Sequence, residues 1–233
     1  MRRRGLFALF GILVIGCAGQ APKWVRVEAV LLPDAEGTLS KQSGVEVLAR
    51  GYRLSLGECR LEVEPLPDGE LNRRFLDVSF RGANSANPYT YGNWVDPELG
   101  YTPPRFAVFH VAVSGGRGCL RALRDLVLVT DQGDSLPAYR YPDEGPRSIL
   151  ARLQQDWRDR PSLLDEAEVL LAGTYLRWGE AASEEITSGL VAFAPLDYAV
   201  DRVSLLLWRA DAHSNPVALA FRQRLLRVDE PSR

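Results

Sequence analysis

Histidine, methionine and lysine are almost missing from this 233-residue chain, which has two histidines, one methionine and, in Lys23 and Lys41, two lysines. His110 and His213 are too few to build a histidine metal site, and no acidic cluster has the spacing of a calcium loop, so no metal or other cofactor is expected. Neither sign of charge dominates, with 28 basic against 30 acidic side chains. The chain has no surplus with which to hold a polyanion, and nucleic acid is not an expected partner. A phosphate-cradling loop is lacking too: Gly115, Gly116, Arg117 and Gly118 join two expected β elements without a lysine or a following helix. There is no internal repeat and no low-complexity tract. What is present is an ordinary globular composition, 46% hydrophobic and 25% charged, which excludes a collagen-like or disordered chain.

The longest apolar run near the amino terminus, residues 6–15, follows Arg2, Arg3 and Arg4. It is long enough for the core of a signal peptide and too short to cross a bilayer stably. It ends in Val14, Ile15, Gly16 and Cys17, and this ending resembles the lipobox of bacterial lipoproteins, with valine where leucine is most frequent. The resemblance implies that residues 1–16 are a cleaved signal peptide and that the Cys17 thiol carries a diacylglyceryl group on the new amino terminus. Two or more acyl chains hold a protein at a membrane essentially permanently, since each buried methylene contributes about 0.8 kcal/mol. Residues 17–23 are then a lipidated tether. Ala18 after the cysteine implies an outer-membrane anchor facing the periplasm, rather than the inner membrane, in a Gram-negative source.

Lipidation of Cys17 leaves Cys59 and Cys119, and an exported chain meets oxidising conditions in which an even pair forms a disulfide. Such a bridge would stabilise by about 4 kcal/mol in the chain-entropy account. The other reading is two separate thiols, one of them buried in a strand.

From residue 24 the vocabulary is that of strands. Residues 24–32, 45–56 and 59–64 are rich in β-branched and aromatic side chains, and Cys59, Leu61 and Val63 alternate with Arg60, Glu62 and Glu64. Residues 75–80 (FLDVSF) read as a further strand with Leu76, Val78 and Phe80 on one side. Residues 84–104 hold too many glycines, prolines and asparagines for a regular element and form a long loop. Residues 106–113 (FAVFHVAV), apolar on both faces apart from His110, read as an interior strand, and residues 125–130 as another before the turn at Asp131, Gln132, Gly133 and Asp134. Between about 142 and 185 the period becomes helical. Ile149, Leu150, Leu153 and Trp157 share one side of a helix, and Ser162 with Asp165 forms a capping box for a second. Strands return at residues 190–193, 202–208 and 216–226.

About eight short strands with turn-rich joints and no general βαβ alternation indicate a mainly β fold, an immunoglobulin-like antiparallel β-sandwich over residues 24–229 with a short helical insertion. The order of segments at 103–113, 123–139, 176–180 and 188–208 also resembles the telokin-like, immunoglobulin-like domain of bacterial lipoproteins. In that family a strand followed by a polar turn leads to a Leu-x-x-Gly-Glu approach and a Gly-x-x-x-Phe-x-x-Pro strand. The positions here are Leu176, Gly179 and Glu180, then Gly189, Phe193 and, one residue early, Pro195. This resemblance implies a fold rather than a chemistry.

Gly133, Asp134, Ser135 and Leu136 spell the block that carries the nucleophile of GDSL-type esterases. A serine nucleophile needs a histidine, and Asp211-Ala212-His213 falls one residue short of that family's Asp-x-x-His. The plainer reading is a polar turn between strands, and no catalytic residue is assigned. Tyr89, Tyr91, Trp94 and Tyr101, interleaved with Asn87, Asn93 and Asp96, form the candidate binding loop, either a surface for a sugar ring or a protein partner or a cover over a sandwich edge. Leu153 and Trp157 pack the insertion onto the sheet or form a partner groove. The expectation is a lipid-anchored cell-envelope protein that binds or assembles without catalysis, its partner another envelope protein or a glycan. An envelope esterase using Ser135 and a purely structural subunit of an envelope complex are the alternatives.

Overall fold

The computed structural model describes residues 26–37, 44–115, 118–143, 145–179, 187–210 and 215–228. The signal segment, Cys17 with its tether, Gly116, Arg117 and His213 lie outside them. Two antiparallel five-stranded sheets pack face to face as a β-sandwich. One has the order β1 (Arg26–Pro33), β10 (Val217–Val228), β9 (Arg202–Arg209), β6 (Leu123–Thr130), β7 (Ser135–Pro137). The other runs β2 (Val45–Val47), β3 (Tyr52–Leu56), β4 (Cys59–Leu66), β5 (Ala107–Ser114), β8 (Ser188–Phe193). The first and last described strands lie side by side, Arg26 opposite Val228.

The alternation read in β4 holds: Leu61 and Val63 are buried and face the other sheet, while Arg60, Glu62 and Glu64 look outward. Phe109 of β5 is the centre of the core, 5.3 Å from the Phe221 ring across the sandwich and 5.6 Å from Phe193 on the neighbouring strand. Tyr52 ties the sheets together. Its ring meets Phe221 edge-on at 5.1 Å, and its hydroxyl donates to the Ala220 carbonyl at 2.6 Å, which satisfies the one polar atom that this burial would otherwise strand. Cys59 and Cys119 form a disulfide with Cα atoms 5.6 Å apart, joining the start of β4 to the turn before β6.

The helical insertion follows β7 as α3 (Ile149–Asp156) and α4 (Pro161–Thr174). Ser148 caps α3, its hydroxyl accepting from the Ala151 amide at 3.3 Å. Leu163, Ala167 and Leu171 bury one stripe of α4. Leaving α4, the chain runs along β8: the Leu176 amide donates to the Leu190 carbonyl and the Tyr139 amide to the Ala192 carbonyl, so the edge of this sheet is covered. Gly189 permits that approach, because a Cβ there would stand 2.7 Å from the Leu176 nitrogen and 2.9 Å from the Thr174 carbonyl oxygen.

Three expectations are corrected. Residues 45–56 are not one strand but the hairpin β2–β3, closed by the Leu48 amide donating to the Gly51 carbonyl. Residues 75–80 are not a strand. They continue α1 (Asp68–Arg74) as the single turn α2 (Leu76–Ser79), in which Val78 is buried while Leu76 and Phe80 are 57% and 53% exposed. A short alternating apolar run does not separate strand from helix, and here the Ser79 hydroxyl and amide both bond the Phe75 carbonyl. Ser162 does not cap α4 either. That helix starts one residue earlier with Pro161, whose fixed φ suits the first turn, and Arg160 stands at the N-cap without a side-chain cap bond.

Candidate binding cleft

The long loop is irregular but pinned. Asn87, fully buried, donates to Ser79 Oγ at 2.9 Å and to Asn72 Oδ1 at 3.4 Å, while its own Oδ1 accepts the Tyr89 amide at 2.9 Å. Thr90 Oγ1 donates to Asn72 Oδ1 and accepts the Gly92 amide, and Asn72 Nδ2 donates to the Gly92 carbonyl. Gly92 has φ +66°, and a Cβ there would lie 2.0 Å from the Ser79 carbonyl oxygen, so the chain passes where no other residue fits. A buried, mutually satisfied amide network of this kind holds a loop in one conformation.

That conformation sorts the four aromatic candidates. Tyr89 is not a surface residue. Its ring stacks between Phe75 at 5.6 Å and Tyr175 at 6.5 Å, its hydroxyl shares a hydrogen bond with Thr174 Oγ1 at 2.7 Å, and burial pushes the phenol far above its usual pKa. It anchors the loop to α4 and cannot touch a ligand. Tyr101 is half-buried and pairs with Tyr198 at 6.0 Å, apart from the others. Tyr91 and Trp94 lie together, ring centres 5.6 Å apart, both half-buried.

Tyr91 and Trp94 form one wall of a cleft of about 280 Å³ between the loop and the insertion, completed by Asp96, Arg105, Trp157 and Arg160 among others. Arg105 is its floor. This side chain is 2% exposed, and its guanidinium carbon lies 4.1 Å from the Tyr91 ring centre and 4.5 Å from that of Trp157, so a cation is held between two π faces. Its Nη1 donates to the Asn87 carbonyl at 2.9 Å, but Nε has no hydrogen-bond acceptor among the described residues, the nearest carboxylate oxygen being Asp156 Oδ2 at 3.4 Å. Burial lowers the Arg105 pKa, partly offset by Tyr91 and Asp156, and the group remains a cation. Asp156 is itself shared: Tyr91 donates to it at 3.2 Å and Arg152 binds its other oxygen. Three guanidinium groups, Arg105, Arg152 and Arg160, stand against the two carboxylates Asp96 and Asp156.

The sequence does not point to Arg105, Asp156 or Arg160, and it leaves Trp157 either packed on the sheet or lining a partner groove. Trp157 is buried, but against the Arg105 guanidinium. The available signal was an arginine set directly before the most apolar strand, in a position where its neighbours had to bury it. Elsewhere, Ser135 sits exposed on edge strand β7 after a turn closed by Thr130 and Asp134, while His110 lies half-buried in β5 of the other sheet. Burial and the Arg74 charge lower the His110 pKa. Among the described residues no group of three or more metal-ligating side chains occurs, and no helix is long and apolar enough to cross a membrane. A narrower gap of about 70 Å³ beside Leu66, Phe106 and Val108 contains no unpaired buried polar atom of the described residues. No protein-family model, curated protein or solved structure matches this chain.

Proposed function

We propose that this chain is a lipid-anchored cell-envelope protein that acts as a non-catalytic binding module, with its recognition surface in the cleft between the aromatic loop and the helical insertion. The observation that carries the binding reading is the guanidinium of Arg105, buried under two aromatic rings at the floor of a cleft and incompletely paired. Burying a cation costs free energy that a merely structural clamp could avoid with an apolar side chain. Support for the envelope comes from the lipobox-like ending at Cys17 and from the Cys59–Cys119 disulfide, a bond that persists in oxidising compartments.

The anchor is tested by growing a Gram-negative host that expresses the full chain with radiolabelled palmitate. The wild-type protein is expected to carry label and to sediment with membranes, and Cys17→Ser to lose both. An unlabelled wild type, or label that survives the substitution, overturns the anchor. The absence of catalysis is tested with a fluorogenic ester, where no turnover that depends on Ser135 is expected. Turnover abolished by Ser135→Ala would establish the esterase instead.

A further inference from the structure

Four features of the cleft bear on what it binds. The first is charge. Arg105 and, outside the lining, Arg152 share the single carboxylate of Asp156, so this cluster holds one more cation than anion, and water screens poorly around the buried Arg105. The second is Arg160 at the rim. Its exposed side chain bonds only the Ala83 carbonyl among the described residues, which leaves guanidinium donors available at the mouth. The third is Asp96, whose Oδ1 accepts the amides of Glu98 at 2.8 Å and Leu99 at 3.1 Å, while Oδ2 has no bond among the described residues. A fixed carboxylate oxygen of this kind accepts hydroxyl donors and repels simple anions. The fourth is the half-buried ring of Trp94, held against Tyr91. Flat aromatic faces hold the C–H face of a sugar ring with little loss of side-chain freedom.

A cavity of about 280 Å³ stands near the lower end of small-molecule sites, about 300 Å³, which suits one ring rather than an extended chain. Arg177 Nε and Trp178 Nε1 are also buried without hydrogen-bond partners among the described residues, but the hollow beside Tyr141 and Trp178 offers about 10 Å³, room for one water at most. Among the described residues the loop–insertion cleft therefore joins an incompletely hydrogen-bonded cation to usable space.

We infer that this cleft binds a saccharide ring bearing a carboxylate, with the acid directed to Arg160 over the Arg105 floor, the hydroxyls to Asp96, and the ring face against Trp94. The inference rests on the reading of the cleft as the recognition surface. It excludes two simpler ligands. A neutral sugar would leave the excess cation uncompensated, and a small anion would bring negative charge to Asp96 without a ring face to lay against Trp94.

The test uses the full-length protein in detergent, titrated by calorimetry and by tryptophan fluorescence with D-glucuronate, D-glucose and inorganic phosphate. D-glucuronate is expected to bind saturably and at least tenfold more tightly than either of the others. Arg160→Gln should weaken glucuronate at least fivefold and leave the weak glucose affinity unchanged, and Trp94→Ala should weaken both sugars. Arg160 is exposed, so the thermal midpoint should hold in Arg160→Gln. Arg105→Lys, which keeps the charge and loses the stacked plane, should also reduce the glucuronate preference. Glucose binding as tightly as glucuronate, or phosphate binding as tightly, overturns the acidic-sugar assignment while leaving the cleft a recognition site. No saturable binding of any of the three overturns the saccharide assignment altogether and leaves the palmitate result at Cys17 untouched.

Discussion

Arg105 is where the loop, β5 and the insertion meet, and its surroundings show how one side chain sets a site. The Asn87 carbonyl fixes one end of the guanidinium, two rings hold its faces, and Asp156 supplies the counter-charge. Removing it leaves Asp156 with Arg152 and Tyr91 but opens a gap between Tyr91 and Trp157. Arg105→Ala is therefore expected to destabilise the fold by about 3 kcal/mol, measured by urea denaturation, and to red-shift tryptophan emission as Trp157 gains water. A loss close to zero would mean that the cation contributes nothing to holding loop and insertion together. The aromatic loop was legible as a candidate from composition, since Tyr91 and Trp94 do line the cleft. That Tyr89 is core was not legible. Its burial depends on Phe75, Tyr175 and Thr174, of which two lie more than eighty positions away in the chain. The ion cluster was hidden for the same reason: Arg105 and Asp156 are separated by fifty-one positions, and single-sequence patterns report local periodicity rather than distant charge pairing.

Elements were easiest to read where one face is wet. Strand β4 announces itself because Arg60, Glu62 and Glu64 need water while Leu61 and Val63 need the core, and β5 because interior strands tolerate few polar residues. The short helix α2 reads as a strand because four residues carry too little period to tell a turn of helix from a strand. Likewise the hairpin β2–β3 reads as one strand because its turn has no Asn-Gly or Pro signal. The insertion is held to the sandwich by Arg147, which donates two hydrogen bonds to Asp125 of β6, at 2.6 and 2.9 Å, and reaches the Ala138 carbonyl. Burial works against the Asp125 carboxylate, but the bonds from Arg147 and from the Leu126 amide outweigh it and lower its pKa. A carboxylate whose pKa is lower folded than unfolded stabilises the fold above its unfolded value, near 3.9, and that stabilisation disappears as pH falls through the lower folded value. Thermal midpoints between about pH 2 and 6 should accordingly fall less steeply in Asp125→Asn than in the wild type, with the variant less stable at neutral pH. Parallel curves would show that the pair does not couple folding to protonation. At the start of α3, Ser148→Ala should cost about 1 kcal/mol by loss of the cap to Ala151.

At the scale of the whole molecule, the cleft has one wall inside a covalent ring and one outside it. The disulfide from Cys59 to Cys119 encloses α1, α2, the aromatic loop and β5, whereas α3 and α4 lie beyond it. In the folded protein the enclosed segment is already fixed by β4–β5 pairing and by the amide network around Asn87. The bond therefore acts chiefly on the unfolded chain, where closing a ring across a separation of 60 residues removes conformational freedom. For the Cys59→Ala/Cys119→Ala double variant this gives an expected loss of about 4 kcal/mol in unfolding free energy. The tryptophan emission of the folded state and its affinity for cleft ligands should stay unchanged. Equilibrium urea unfolding of both proteins, with emission recorded before the transition, separates the two contributions. A small stability loss would mean that the unfolded chain keeps this region compact without the bond. An altered native emission or a weakened cleft would mean instead that the covalent link shapes the folded loop, and that the aromatic wall depends on the oxidising compartment in which the protein is proposed to work.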